Sequence, residues 1–186
     1  LSATGFYKTP KIHYDPQTMS GRPFYYFAYG AAVSEVEIDT LTGEYRVQQV
    51  DILHDVGESL NPALDIGQIE GGFVQGMGWL TTEELWWDQT GRLRTHAPST
   101  YKIPVAGDLP ERFKVCLVDK KPNREATIYH SKAVGEPPLM LAMSVFFALK
   151  DAVESVGNYQ YSSGLNAPAT PESVLMAIEF LRKKVK

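Results

Sequence analysis

The chain of 186 residues is 44% hydrophobic and 22% charged, with a formal net charge of -4. These values are ordinary for a soluble globular protein with one sizeable core, and they give no support to nucleic-acid binding. The longest apolar run falls short of the ~18 residues that a membrane span needs, and residues 1–5 do not resemble a signal peptide. We therefore expect no membrane partner.

Cysteine and histidine usage predicts neither a disulfide framework nor a side-chain metal site. Cys116 is the only cysteine, which excludes an internal disulfide and makes a reducing cytoplasm the expected location. It alternates with apolar residues in a strand-like run, so we expect it to be a buried small hydrophobic residue. The chain has no helical i, i+4 pair among its histidines, which are His13, His54, His96 and His130.

The first part of the chain predicts an irregular lead-in followed by a β-hairpin. Residues 1–23 are rich in turn-forming residues, which indicates an extended segment without regular structure. Residues 24–39 have the composition of a strand, and alternation resumes over residues 45–51 after a turn at 40–43.

The middle of the chain predicts a helix, a second hairpin and a strand. Asn61 is a plausible N-cap, with Pro62 at the first position of a glycine-rich helix that extends to about residue 78. Residues 81–95 contain two strand-like runs around a Gln-Thr-Gly turn, and residues 112–119 predict a further strand.

The last part predicts a short strand at residues 127–130 and two helices. The helix over residues 137–156 has almost no polar face, so we expect it to be buried. A loop at 157–169 precedes an amphipathic helix that begins at Thr170-Pro171. Hairpins and helices without regular βαβ alternation indicate an α+β fold.

Glu136 is the most informative residue of the chain. It stands between Gly135 and the pair Pro137-Pro138, at or just before the start of the apolar helix. A carboxylate on such a rigid support at the edge of a core is a candidate general base. Helix capping is the alternative explanation, and from the pattern alone it is the more common one.

The glycine-rich helix needs a reason for its composition, because each internal glycine costs about 1 kcal/mol relative to alanine. Close packing of the helix against a neighbour is one reason, and approach of a ligand to the backbone is another. The pattern alone favours packing. The glycines are Gly67, Gly71, Gly72, Gly76 and Gly78.

Gln68 and Gln75 are polar residues on about the same face of that helix. A side-chain amide offers donors and an acceptor, which suits the edge of a heterocycle such as a pterin. The alternative is that each amide caps a nearby backbone group, and this is the favoured interpretation for Gln75.

Several segments together resemble the C-terminal part of the xanthine dehydrogenases, within the molybdenum hydroxylase family that also includes aldehyde oxidases. Their order and spacing agree over nearly the whole chain. They are residues 4–10, 55–62, 67–76, 98–104 and 131–138, the last being Ser-Lys-Ala-Val-Gly-Glu-Pro-Pro. The Pro-Pro ending is more typical of the xanthine branch than of aldehyde oxidases.

The resemblance implies that residues 1–186 are one C-terminal segment of a larger molybdopterin-binding domain. It implies that Glu136 is the catalytic base, which takes a proton from a molybdenum-bound hydroxyl. That oxygen attacks the heterocycle while hydride passes to the metal centre. Gln68, Val134 and Gly135 correspond to positions that contact the cofactor. No side chain ligates the metal, because the pterin dithiolene does so.

The same resemblance implies what the complete enzyme contains. Its cofactors are molybdopterin with molybdenum, and 2Fe-2S clusters and FAD in other domains or subunits. Its partners are the remainder of the molybdenum domain, these electron-transfer domains and a second copy in a dimer. The implied reaction oxidises hypoxanthine and xanthine to urate. An aldehyde oxidase-like enzyme and a non-catalytic assembly module are the alternatives, and in every case this chain alone should be inactive.

Overall fold

A computed structural model describes residues 1–119 and 121–185 and confirms the α+β class. These residues form a small separate hairpin, a three-stranded sheet and three α-helices. The core lies between the sheet and the helices that pack against it.

The lead-in, expected to be irregular, contains a short antiparallel hairpin of β1 (His13–Asp15) and β2 (Ser20–Arg22). The Asp15 carboxylate closes the turn by accepting hydrogen bonds from the Gln17 amide and the Thr18 hydroxyl, each at 2.9 Å. These bonds lower the pKa of Asp15. Side-chain hydrogen bonds of this kind form a turn without any apolar periodicity.

The main sheet confirms the first predicted hairpin and the strand predicted at residues 112–119. β3 (Gly30–Ile38) pairs antiparallel with β4 (Tyr45–His54), and β5 (Arg112–Leu117) lies parallel to β4 on its other side. Residues 24–29, predicted to belong to the first strand, lie outside β3 and pack their aromatic rings in pairs.

The expected burial of Cys116 is wrong. Side chains alternate across a strand, and Phe113, Val115 and Leu117 take the core-facing positions of β5. Cys116 therefore points to the open face of the sheet and is exposed.

The glycine-rich helix is α1 (Pro62–Thr81), and it begins where predicted. The Asn61 side chain accepts a hydrogen bond from the Leu64 amide at 3.4 Å, as an N-cap does. Ile69 and Phe73 are completely buried between α1 and the sheet.

The predicted second hairpin at residues 81–95 is a loop with a single isolated bridge between Trp87 and Leu93. Hydrogen bonds to one carboxylate shape this loop. The Thr90 hydroxyl donates to Asp88 at 2.6 Å, and together with further donors it lowers the pKa of Asp88 to about 2. The turn was located correctly, but its flanks do not form a ladder.

The predicted strand at residues 127–130 is wrong. Ile128–His130 form a 3-10 turn instead. Tyr129 and His130 have positive φ values of 50° and 57°, a left-handed conformation that cannot belong to an extended strand.

The apolar helix starts with a 3-10 segment, Pro137–Ala142, and continues as α2 (Met143–Ser155). The expected burial of this helix holds for its inner face only, where Val145, Leu149 and Val153 are completely buried. Its opposite face is exposed in this chain.

The last helix, α3 (Pro171–Val185), confirms the predicted amphipathic segment. The Ser173 amide donates to the Thr170 hydroxyl at 3.2 Å at its start. Val174, Ile178 and Leu181 are completely buried against the core.

Candidate functional site

Glu136 occupies the residue before the 3-10 segment that leads into α2. Its backbone carbonyl accepts a hydrogen bond from the Leu139 amide at 3.1 Å. Pro137 and Pro138 have no N–H groups to donate. The side chain of Glu136 is exposed and makes no capping hydrogen bond, so its carboxylate oxygens keep their lone pairs free among the described residues.

Two glycines of α1 provide the close packing that fixes this turn. A Cβ at Gly76 would clash with the Leu139 carbonyl oxygen and lie 2.9 Å from the Cβ of Ala142. A Cβ at Gly72 would lie 3.2 Å from the Cβ of Pro138. The packing explanation therefore holds at these two positions, which give the turn at Glu136 a rigid base, and also at Gly78, where a Cβ would clash with Pro104.

Gln68 and Gly135 lie on the same side of α1 as that contact. The Gly135 carbonyl oxygen is 3.8 Å from the Cβ position of Gly72, and Gln68 precedes Gly72 by about one helical turn. Gln68 is exposed, whereas Val134 is half-buried against the core. The fold thus brings the four predicted site residues to one region of the surface.

Three glycines in this region have no packing role against the residues that the structure describes. A Cβ at Gly67, Gly71 or Gly135 would meet nothing within 4 Å, and none of the three has a positive φ. The surface beside Gln68 is therefore open enough for another group to approach the backbone closely. This arrangement fits the edge of a planar heterocyclic cofactor.

Gln75 is exposed, and its side chain makes no hydrogen bond with the described residues. The prediction that the Gln75 amide caps a nearby backbone group is therefore wrong.

Sequence reasoning missed an ion pair next to the predicted site. Lys132 Nζ lies 2.6 Å from Asp55 Oδ2, with only 9% and 15% of the two side chains exposed. Both residues belong to segments 55–62 and 131–138, but nothing in the sequence indicates that they meet. The signal is topological, because the loop after β4 and the loop after its parallel neighbour β5 leave the same edge of the sheet.

His54, the last residue of β4, is buried beside this pair. Its Nδ1 has no hydrogen-bond partner within residues 1–119 and 121–185, and burial lowers the pKa of the imidazole. Asp55 opposes that shift and Lys132 adds to it. His54 is 1% exposed, so it is part of the packed interior.

A family model described as "Molybdopterin cofactor-binding domain" matches residues 1–110. The chain belongs to this molybdopterin-binding family. The matched range includes Gln68 and ends before Glu136.

Sequence relatives of this molybdopterin-binding chain bear the name expected from the motifs. It is 57% identical over 180 residues to the xanthine dehydrogenase/oxidase of Felis catus, which covers 94% of this chain and 13% of that protein. The chain therefore spans a small part of the curated relatives it matches.

Solved structures agree with the fold. The aldehyde oxidoreductase of Desulfovibrio gigas is 28% identical with a TM-score of 0.72, over 90% of this chain and 17% of that one. A reconstituted CO dehydrogenase from Oligotropha carboxidovorans shares the fold with a TM-score of 0.74 at 22% identity, over 85% of this chain and 19% of that one.

The molybdopterin-binding chain offers no metal site of its own in the part that the structure describes, where no group of three His, Cys, Asp or Glu side chains could bind a metal ion. No helix within residues 1–119 and 121–185 is long and apolar enough to cross a membrane.

A cavity of about 880 Å³ lies elsewhere, lined among others by Tyr45, Met77 and Asp108. None of its lining residues is a predicted site residue. Burial and the Asp108 charge raise the pKa of Tyr45 to about 12 at this cavity.

Proposed function

We propose that residues 1–186 are the C-terminal segment of the molybdopterin-binding domain of a xanthine dehydrogenase-like hydroxylase. The proposed substrates are purines, with hypoxanthine and xanthine oxidised to urate. The observation that carries the proposal is the free carboxylate of Glu136, mounted on a tightly packed turn next to Gly135 and the exposed amide of Gln68. The 57% identity to a xanthine dehydrogenase/oxidase supports the purine substrate.

The proposed role of Glu136 is that of the catalytic base. Its Oε atoms accept a proton during the reaction, and the absence of donors from Pro137 and Pro138 leaves them available for it. The tightly packed turn fixes the backbone from which the carboxylate projects, so little backbone reorganisation is needed when the proton moves. The molybdenum cofactor, when bound, supplies the acceptor for the electrons that leave the substrate.

The neighbouring residues have binding roles in this proposal. The Gln68 side chain can donate and accept hydrogen bonds at the polar edge of the pterin. The Val134 and Gly135 backbone forms the surface next to the cofactor, where the lack of a side chain at Gly135 permits close approach.

Replacing Glu136 by Gln in the complete enzyme tests the base assignment. We expect turnover of xanthine to fall by about 1000-fold or more, since a neutral amide of the same shape cannot accept the proton. Molybdenum and pterin content should stay unchanged, as measured by metal analysis and cofactor extraction.

Glu172→Gln is the matched control, because Glu172 is likewise an exposed glutamate near the start of a helix, in the first turn of α3. It should leave turnover unchanged. Turnover near the parent value in Glu136→Gln would remove Glu136 from the mechanism.

An aldehyde oxidase-like activity is the second candidate, favoured by the likeness to the Desulfovibrio gigas aldehyde oxidoreductase. Rates with hypoxanthine and xanthine against rates with aromatic aldehydes distinguish the two. A non-catalytic assembly module is the third reading, and it predicts an intact complex that contains neither molybdenum nor pterin.

The proposal includes partners for this chain. They are the remainder of the molybdenum domain, 2Fe-2S and FAD domains or subunits, and a second copy of the complete enzyme. The chain's 13% share of its relative's length supports a larger assembly. Purification of the intact enzyme, followed by flavin and iron analysis and by mass measurement in solution, tests each of these.

A further inference from the structure

Lys132 is tied to three parts of its surroundings through its side chain. Its Nζ donates to Asp55 Oδ2 at 2.6 Å and to the Phe27 carbonyl oxygen at 2.9 Å. The same ammonium lies 5.4 Å from the centroid of the Tyr29 ring, within cation–π range. With 9% of its side chain exposed, this lysine is held in one position rather than free in solvent.

The backbone around Lys132 is bound as well. The Lys132 amide donates to the Val56 carbonyl oxygen at 2.8 Å, and the Ala133 amide donates to the Tyr26 hydroxyl at 2.8 Å. Ser131 forms an isolated antiparallel bridge with Gly57. Residues 131–133 are therefore fastened both to the segment 26–29 and to the loop that follows β4.

Gly57 shows how closely these two loops approach. Its φ is +64°, and a Cβ there would lie 2.5 Å from the His130 carbonyl oxygen and 3.1 Å from the Lys132 amide nitrogen. The Asp55 carboxylate is itself oriented by the Gly57 amide, which donates to Oδ1 at 2.9 Å. The Asp55 carboxylate is thus oriented by the Gly57 amide independently of its ion pair with Lys132.

Only Val134 and Gly135 separate this fastened segment from Glu136. Glu136 is also fixed on its other side, where Pro138 and Leu139 pack against α1. Gly135 makes no packing contact at its Cβ position, so it cannot restrain the carboxylate itself. The N-terminal restraint on Glu136 therefore comes from Val134, which packs against the core, and from residues 131–133.

We propose that Lys132, paired with Asp55, is a positioning residue that holds the Val134–Glu136 segment in its working place. The proposal rests on the proposed role of Glu136 as the base. Lys132 itself contacts Asp55, Phe27 and Tyr29, so it acts on the reaction through the backbone that it fixes.

The test uses the complete enzyme with Lys132→Met, which removes the charge and keeps an unbranched side chain that is one atom shorter. We expect kcat per bound molybdenum to fall by about 10- to 100-fold, the usual effect of a small misplacement of a reacting group. KM should change by less than about threefold, because the restraint serves the transition state rather than substrate binding. Amide hydrogen exchange of peptides covering residues 131–136 should accelerate.

Two further variants separate positioning from general stabilisation. Lys132→Arg keeps the cation and should recover most of the lost kcat. Lys150→Met is the control, because Lys150 makes only a surface i, i+4 pair with Glu154 at 3.9 Å, and it should change neither kcat nor exchange. If Lys132→Met gives no soluble enzyme, Asp55→Asn removes the same ion pair and takes its place.

The Lys132 and Glu136 variants test the positioning role and the base assignment separately. Parent-like kcat per molybdenum in Lys132→Met would overturn it, even if the amount of loaded enzyme decreased, since a purely stabilising lysine would act in that way. Full turnover in Glu136→Gln would instead overturn the base assignment. In that case a change in exchange at residues 131–136 would show that the loop restraint exists without the catalytic role.

Discussion

Glu136 and His54 are polar side chains in opposite environments. Glu136 is exposed, and its carboxylate is free of hydrogen bonds from the described residues. His54 is buried, and its Nδ1 has no hydrogen-bond partner in the part of the chain that the structure describes. A buried donor or acceptor without a partner costs about 1–3 kcal/mol. The fold tolerates this cost at the end of β4, next to the Asp55–Lys132 pair.

The lowered pKa of His54 predicts that stability depends on pH. In the unfolded chain the imidazole has the ordinary pKa of 6.5. As the pH falls, it therefore binds a proton at a higher pH than the buried imidazole of the folded chain does. The free energy of unfolding is therefore highest above about pH 6.5, where His54 is neutral in both states. It decreases as the pH falls below that value toward the pKa of the folded state. Urea unfolding of the 186-residue chain, followed by circular dichroism at about pH 7.5 and about pH 5.5, measures this change.

His54→Phe should remove most of the pH dependence, because the buried ring then has no proton to bind. His13→Phe is the matched control, since His13 is exposed on β1, and it should keep the parent dependence. Equal pH dependence in His54→Phe and the parent chain would show that another group is responsible.

At the scale of elements, α1 uses its glycines in two ways. Gly72 and Gly76 let the helix pack tightly against the segment that follows Glu136, whereas Gly67 and Gly71 face open space. The two kinds of glycine should therefore respond differently to the same substitution.

Gly76→Ala should destabilise the chain by about 1–3 kcal/mol or more, because the new methyl group meets the Leu139 carbonyl oxygen. Gly71→Ala should stabilise it by up to about 1 kcal/mol through helix propensity alone. Urea midpoints of the two variants check this difference. Destabilisation by Gly71→Ala would mean that its face is packed within the chain.

Helix-capping residues in the sequence correctly predicted where two of the helices begin. The Asn61-Pro62 cap located the start of α1, and Thr170-Pro171 located that of α3. The prediction of a strand at 127–130 was wrong because Tyr129 and His130 adopt a left-handed backbone conformation. Residues other than glycine rarely adopt this conformation, so their presence in a sequence does not predict it.

In the candidate site too, the part determined by neighbouring residues was predicted and the long-range contact was not. The Gly-Glu-Pro-Pro run located the turn at Glu136, because proline chemistry acts within a few residues. The Asp55–Lys132 pair spans 77 residues and depends on the parallel pairing of β4 and β5, which no local pattern specifies.

At the scale of the whole molecule, helix α2 and the segment before it have a second apolar face. Met140, Met143 and Phe147 are 54%, 45% and 59% exposed, opposite the buried residues of the same helix. An exposed apolar stripe of this kind is typical of a surface that another segment covers. It agrees with a chain that spans 13% of its relative.

Alanine variants on the two faces of α2 should differ in stability and solubility. Leu149→Ala should cost about 2–5 kcal/mol, because Leu149 is completely buried. Phe147→Ala should change stability by no more than about 0.5 kcal/mol and should increase the solubility of the 186-residue chain. Thermal unfolding and the saturation concentration measure the two effects, and a large loss of stability in Phe147→Ala would contradict the exposed position.

The ion pair between Asp55 and Lys132 also has a consequence for biosynthesis. Translation proceeds from the N-terminus, so α1 with Gln68 leaves the ribosome while residues 131–136 are still unmade. A nascent chain at that stage has no cation to meet Asp55 and no carboxylate at position 136. The surface around Gln68 is thus completed late in translation, after the whole glycine-rich helix has been made.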